Sequence, residues 1–115
     1  MDFVNLAQKK MKEKKGFTRL FGTEQFRSWM LYFEPGDGTD MHYHVSPETF
    51  LVLEGKASVK GIKGDERIIE KNEVVFFGSK DYYQITNVGT GPLVLFGNRP
   101  EGFGGPHVTA ENEKS

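Results

Sequence analysis

From Phe17 to about Asn98 the chain is a succession of short runs rich in β-branched and aromatic residues, each ended by a turn signal. The runs are FTRLF, FRSWMLYF, DMHYH, TFLVLEG, KASVKGI, DERIIE, EVVFF, YYQITN and PLVLFGN. Between them lie EPGDG, VSP, GIKGD, EKN, GSKD and VGTGP, where Gly, Pro, Asn and Asp supply the backbone conformations that a chain reversal needs. Many short strands with turns every 8 to 12 residues or so favour a sandwich or barrel. No run here has the length and period of a helix, which argues against a βαβ fold. No internal repeat points to a solenoid. The expectation is an all-β fold, a small antiparallel β-barrel.

The ends read differently. Phe3, Leu6, Ala7 and Met11 recur at helical spacing, with Lys9, Lys10, Lys12, Lys14 and Lys15 among and after them, which predicts a short N-terminal helix or a solvated arm over 1–16. A basic arm for nucleic acid is the alternative, and the lack of any other basic cluster argues against it. The barrel is expected over 17–107, and 108–115 is expected to be a polar, disordered tail. The loop EGFGGPH carries Phe103 and His107, and could be a lid over a barrel mouth or a plain connector.

Composition closes off several classes. The 115 residues suit one domain with one core. A formal net charge of −1 gives no general reason to expect nucleic acid or an acidic membrane as a partner. With no cysteine, disulfides, thiolate zinc sites, cysteine-ligated iron–sulfur clusters and a cysteine nucleophile are all excluded. That usage fits a reducing cytoplasm. No segment approaches the roughly 20 apolar residues of a membrane helix, and the N-terminus has no apolar core of the secretory-signal kind.

The chemistry concentrates in HYHVSPE, residues 42–48. On a strand, His42 and His44 point to one face and Tyr43 to the other. Pro47 favours a turn or strand start, from which Glu48 can fold back toward the same point. Two imidazoles and a carboxylate on one side of an ion form the facial arrangement of non-haem iron enzymes. A pair of surface or lining histidines has the same spacing. The strand context and the nearby carboxylate favour the metal.

These residues carry a resemblance. GDGTDMHYHVSPETFLVLEG, from Gly36 to Gly55, resembles the first motif of the cupin superfamily at every defining position. EKNEVVFFGSKDYYQITNVGTGPLVLF is similar to the second motif, in a degenerate form. Asn72 and Glu73 stand where the family has Gly-Asp, Gly78 stands for the proline, and Asn87 matches the terminal asparagine. Tyr83 occupies the position of a third metal-binding histidine. The resemblance covers residues 36 to about 96. It implies a small single-domain cupin, a double-stranded β-helix or jelly roll of two facing sheets with a metal inside.

Tyr83 is open to several readings: a fourth ligand, an acid or base beside an open metal position, or core packing. A register shifted by one would turn Tyr82 or Gln84 inward instead. His107 replaces the missing histidine only if its loop folds into the barrel. The expected ligands are thus His42, His44, Glu48 and Tyr83, with Tyr83 and Glu48 as the catalytic groups. The ion would be a divalent or ferric transition metal: iron, manganese, nickel, zinc or copper. A metal-free cupin, with the histidines bonding a ligand, is the alternative.

Single-domain members of the resembled family include dioxygenases, isomerases and epimerases, lyases and proteins with no known reaction. A metal-dependent enzyme on a small organic molecule is expected; a small-molecule sensor is the rival. The lack of a helix-turn-helix pattern, in a chain that ends just beyond the barrel, favours the enzyme. Arg27 could face inward and bind a carboxylate or phosphate, but the solvent face is the expected place for it. Open sheet edges predict a homodimer, with FTRLFGTEQF as an edge strand for exchange.

Overall fold

The computed structural model describes residues 1–13, 16–101 and 108–109. Among these residues one helix, α1 (Leu6–Glu13), precedes ten strands: β1 (Phe17–Gly22), β2 (Phe26–Phe33), β3 (His42–Tyr43), β4 (Glu48–Glu54), β5 (Lys56–Lys60), β6 (Glu66–Glu70), β7 (Val74–Phe77), β8 (Gln84–Asn87), β9 (Leu93–Pro100) and β10 (Val108–Thr109). Each of the nine apolar runs contributes one strand, β1 to β9. The helix expected in 1–16 is present, and the Lys10 ammonium ties it to Glu54 at 3.0 Å. No helix among the described residues is long and apolar enough to cross a membrane. Val108 and Thr109 pair with Tyr43 and His42, two residues past the expected end of the barrel. Residues 102–107, including Phe103 and His107, and the rest of the tail lie outside the described residues.

The strands form two layers. One sheet runs β1-β2-β9-β4-β7 and the other β6-β5-β8, with β3 and β10 as a further pair. Backbone bridges from Gly38 to Thr86 and from His42 to Tyr83 lay the 38–43 segment alongside β8, which carries the second layer on to β3. All the pairings between named strands are antiparallel.

Strand alternation sends one residue in two to the interior. Between the layers lie Trp29, Leu31, Phe50, Val52, Ala57, Ile85, Leu93 and Leu95. The register sorts the inner face of the large sheet into rows. One row sets Leu31 beside Leu95, and Leu95 beside Val52. The next sets Trp29 beside Gly97, and Gly97 beside Phe50. Trp29 and Phe50 meet edge to face across that glycine, their centroids 5.6 Å apart. The row beyond it opens with Arg27 beside Arg99. Apolar rows therefore fill the bottom of the barrel and a polar row begins directly above them.

Turn chemistry explains two motif positions. Gly55 adopts φ +94°, and a Cβ there would lie 2.5 Å from the Pro92 carbonyl oxygen, so only glycine fits. Asn72, standing where the resembled motif has glycine, also takes a positive φ of 74°. Asparagine tolerates that region better than other non-glycine residues. Asn87 is buried, donates to the carbonyls of Phe33 and Gly91 at 2.9 and 2.8 Å, and accepts from Gly89 N. It is thus a structural clamp between β2, β8 and the turn after it.

Candidate metal centre

His42, His44 and Glu48 converge: ligand atoms from the three lie within 4.8 Å of one another. The strand β3 covers only His42–Tyr43, shorter than the expected strand, yet both imidazoles turn inward, with ring centroids 4.9 Å apart. Tyr43 goes to the opposite face and packs edge-on against Tyr82. Beyond β3 the His44 carbonyl accepts from Lys80 N at 2.8 Å, which holds the chain as it turns toward Pro47. Glu48 then opens β4 with its side chain buried.

The donor set fits a transition metal. His42 Nδ1 lies 2.9 Å from the Asp40 carbonyl oxygen. A carbonyl can only accept, so Nδ1 carries the proton, which makes Nε2 the nitrogen that would ligate an ion. Such an outer partner is the usual way to fix a ligating imidazole. His44 Nε2 faces Glu48 Oε1 at 4.0 Å, a separation that an ion between them can bridge. Two neutral imidazoles and a carboxylate suit iron, zinc, nickel, copper or manganese.

Tyr83 stands beside this group. Its backbone pairs with that of His42, its ring lies 4.3 Å from the His42 ring, and its hydroxyl donates to Glu48 Oε1. Phe77 stacks on its other face, 3.8 Å away and nearly parallel. Of the readings left open for this position, the shifted register does not occur: Tyr83 is the inward residue and Tyr82 faces away. Burial, then the charge and hydrogen bond of Glu48, push the Tyr83 hydroxyl well above the usual phenol range. Burial also raises Glu48, to about 7, against the opposing pull of the Tyr83 hydrogen bond and the Arg27 charge.

Two arginines complete the setting. Arg27 was expected on the solvent face, and this is corrected: it is buried and lines the central cavity. Tryptophan and leucine two and four positions on fix the inward face of β2, and Arg27 shares it. Arg99 was not anticipated. It lines the same cavity and places Nη1 3.5 Å from Glu48 Oε2. The alternation of Leu93, Leu95 and Gly97 along β9 would have pointed to it. The cavity holds about 470 Å³, a small-molecule volume, with Trp29, Leu31, Phe33 and Phe50 as its apolar wall.

The comparisons agree with this fold. A family model described as a cupin domain matches residues 29–96. No curated protein matches significantly. The Bacillus halodurans protein BH2720 superposes with a TM-score of 0.80 at 15% identity, covering 94% of this chain and 86% of its own. An uncharacterized conserved Klebsiella pneumoniae protein with a double-stranded β-helix domain gives a TM-score of 0.74 at 15% identity, over 84% of this chain and 86% of that one. The DMSP lyase DddQ from Ruegeria pomeroyi gives 0.69 at 15% identity, over 84% of this chain and 53% of the lyase. At such identities the structures share a fold. With the family model spanning most of the barrel, this chain belongs to the cupin-domain family.

Proposed function

We propose that the chain is a metal-dependent enzyme that moves a proton on a small organic molecule, in isomerase or lyase chemistry. The observation that carries this is the contact between the Tyr83 hydroxyl and Glu48 at the edge of a three-donor cluster inside a cavity. His42, His44 and Glu48 would hold the ion, which would polarise a substrate carbonyl or stabilise an enolate-like anion.

The other roles fall to the chain itself. Tyr83, whose hydroxyl lies at the edge of the donor cluster, is the group that would give a proton to the substrate or take one from it beside the ion. Glu48 accepts from Tyr83 and fixes the direction of that hydroxyl. Trp29, Leu31, Phe33 and Phe50 exclude water from one side and receive an apolar body. That a DMSP lyase has this fold is an analogy in keeping with such chemistry.

A second reading has its own support. Two imidazoles and one carboxylate form the facial donor set of non-haem iron oxygenases, so iron in the site would favour a dioxygenase.

The test is elemental analysis of untagged protein and of His42→Ala. Near-stoichiometric metal that vanishes in the variant supports the enzyme reading, and its identity chooses the assays. Zinc or nickel directs them to isomerase and lyase substrates, iron or copper to oxygen consumption. Absence of metal from both, with none taken up on reconstitution, would leave a metal-free ligand-binding barrel as the better account.

A further inference from the structure

We propose that Arg27 and Arg99 form a carboxylate-binding subsite on the cavity wall, so that the molecule this cupin takes is a small carboxylic acid with an apolar body. The inference names the substrate class for the enzyme proposed above and rests on that reading for what happens at the metal. The subsite itself is built from residues outside the metal ligands.

The register makes the two arginines direct cross-strand neighbours on β2 and β9. Like charges placed opposite one another destabilise a sheet. Here both are also buried, with Arg27 5% exposed and the Arg99 side chain 7% exposed. The row below them is apolar, and apolar residues would fill this row at less cost. The arrangement is instead supported from beneath. Both guanidinium groups lie over the Trp29 ring, at 5.7 and 5.6 Å from its centroid. The indole can lie there because Gly97 has no side chain: a Cβ would come within 2.7 Å of it. Glycine, tryptophan and two arginines thus form a platform that presents two planar cations to one cavity.

The charges around this platform call for an anion. Arg99 reaches Glu48 with one nitrogen only, at 3.5 Å, and its buried Nε has no hydrogen-bond partner. Arg27 lies in the fields of Glu48, Glu101 and Arg19. Three arginines thus face two carboxylates here, and once Glu48 serves an ion only Glu101 is left against them, so positive charge is in excess with or without the ion. Planar guanidinium forks match carboxylates in bidentate geometry. The neighbouring Trp29, Leu31 and Phe33 receive the apolar remainder. A carboxylate on the arginines then leaves another part of the same molecule facing Tyr83 and the metal cluster.

Trp29 is the only tryptophan, so its fluorescence reports on the platform itself. The full chain is titrated with cyclohexanecarboxylate and with its neutral amide, both metal-depleted and after reconstitution with zinc. The acid is expected to give a saturable change in both forms and to bind about tenfold or more tighter than the amide. Arg27→Gln and Arg99→Gln are each expected to remove most of that preference, and Arg99→Lys less of it. Equal binding of acid and amide by the unaltered chain would overturn the subsite, and this comparison needs no variant. Tighter binding of inorganic phosphate than of the acid would overturn the carboxylate assignment. Acid preference without zinc uptake sinks the metal reading and leaves the subsite standing; zinc uptake without acid preference does the reverse.

Discussion

The backbones of His42 and Tyr83 exchange two hydrogen bonds, His42 N to Tyr83 O at 3.0 Å and Tyr83 N to His42 O at 2.8 Å. Residues paired in this way lie directly opposite and share a face. The first metal-binding position of one motif and the departing position of the other are therefore locked side by side. Tyrosine is longer than histidine, so its polar atom passes beyond the place where an imidazole nitrogen would sit and reaches Glu48.

From this placement, Tyr83→Phe should keep its metal while His42→Ala loses it. The variant removes the donor to Glu48 but none of the three clustered ligand groups. It also leaves a buried carboxyl oxygen without that donor, at a stability cost of about 1–3 kcal/mol. Metal content measured after exhaustive dialysis, alongside thermal unfolding, checks both parts. Loss of metal from Tyr83→Phe to the extent seen in His42→Ala would make Tyr83 a ligand after all.

The raised Glu48 gives the metal-free protein a pH dependence of unusual sign. Its folded value is about 7 against an ordinary 4.5, so between these values the folded state holds a proton that the unfolded state has released. Stability therefore falls as pH rises through that window and is level above it. The total amounts to roughly 3 kcal/mol at a conversion of 1.36 kcal/mol per unit. Urea unfolding of chelator-treated protein at several pH values measures it, and Glu48→Gln should flatten the slope. Metal uptake should run the other way, strengthening up to about pH 7 as the carboxylate becomes available.

The edges of the large sheet bear on assembly. β1 is one edge strand and β7 the other, and Phe17, Phe26, Val74 and Phe76 are exposed on or beside them. We propose that the chain forms a homodimer through the β1 edge, which covers unpaired backbone groups and exposed aromatics together. Native mass spectrometry at micromolar concentration should find the dimer, and Phe17→Lys should shift it toward monomer. A monomer alone in the unaltered protein would end the proposal.

The strands and three of the site residues were legible because the sequence states them locally. Alternation and turn residues mark β1 to β9, and the spacing in HYHVSPE marks His42, His44 and Glu48. Arg27 was misplaced for a physical reason. On β2 both faces are buried, Met30 on one and Leu31 on the other, so a polar residue there carries no indication of side. The role of Arg99 depends on pairing with a strand 72 positions away in sequence terms of Arg27↔Arg99, which only the register supplies. Tyr83 was legible as an inward candidate, but its contact with Glu48 needed both motifs in one frame.

Gly97 is the residue whose importance was least visible in the sequence. In PLVLFGN it reads as the end of an apolar run before a loop. In the fold it lies in mid-strand, between Trp29 and Phe50, with an added Cβ only 2.7 Å from atoms of each ring. Neither ring can retreat easily, because Trp29 supports the arginines and Phe50 packs near Phe77 and Tyr83. Gly97→Ala should therefore cost about 1–3 kcal/mol through overpacking. It should also shift Trp29 emission and weaken carboxylate binding, because the indole tilts and the guanidinium groups above it move. Gly91→Ala, where a Cβ meets nothing within 4 Å, is the matched control and should leave both signals unchanged. Chemical unfolding and Trp29 fluorescence of the two variants check this. Equal stability and equal emission for both would mean that the aromatic row yields without effect, and that the platform is looser than the packing implies.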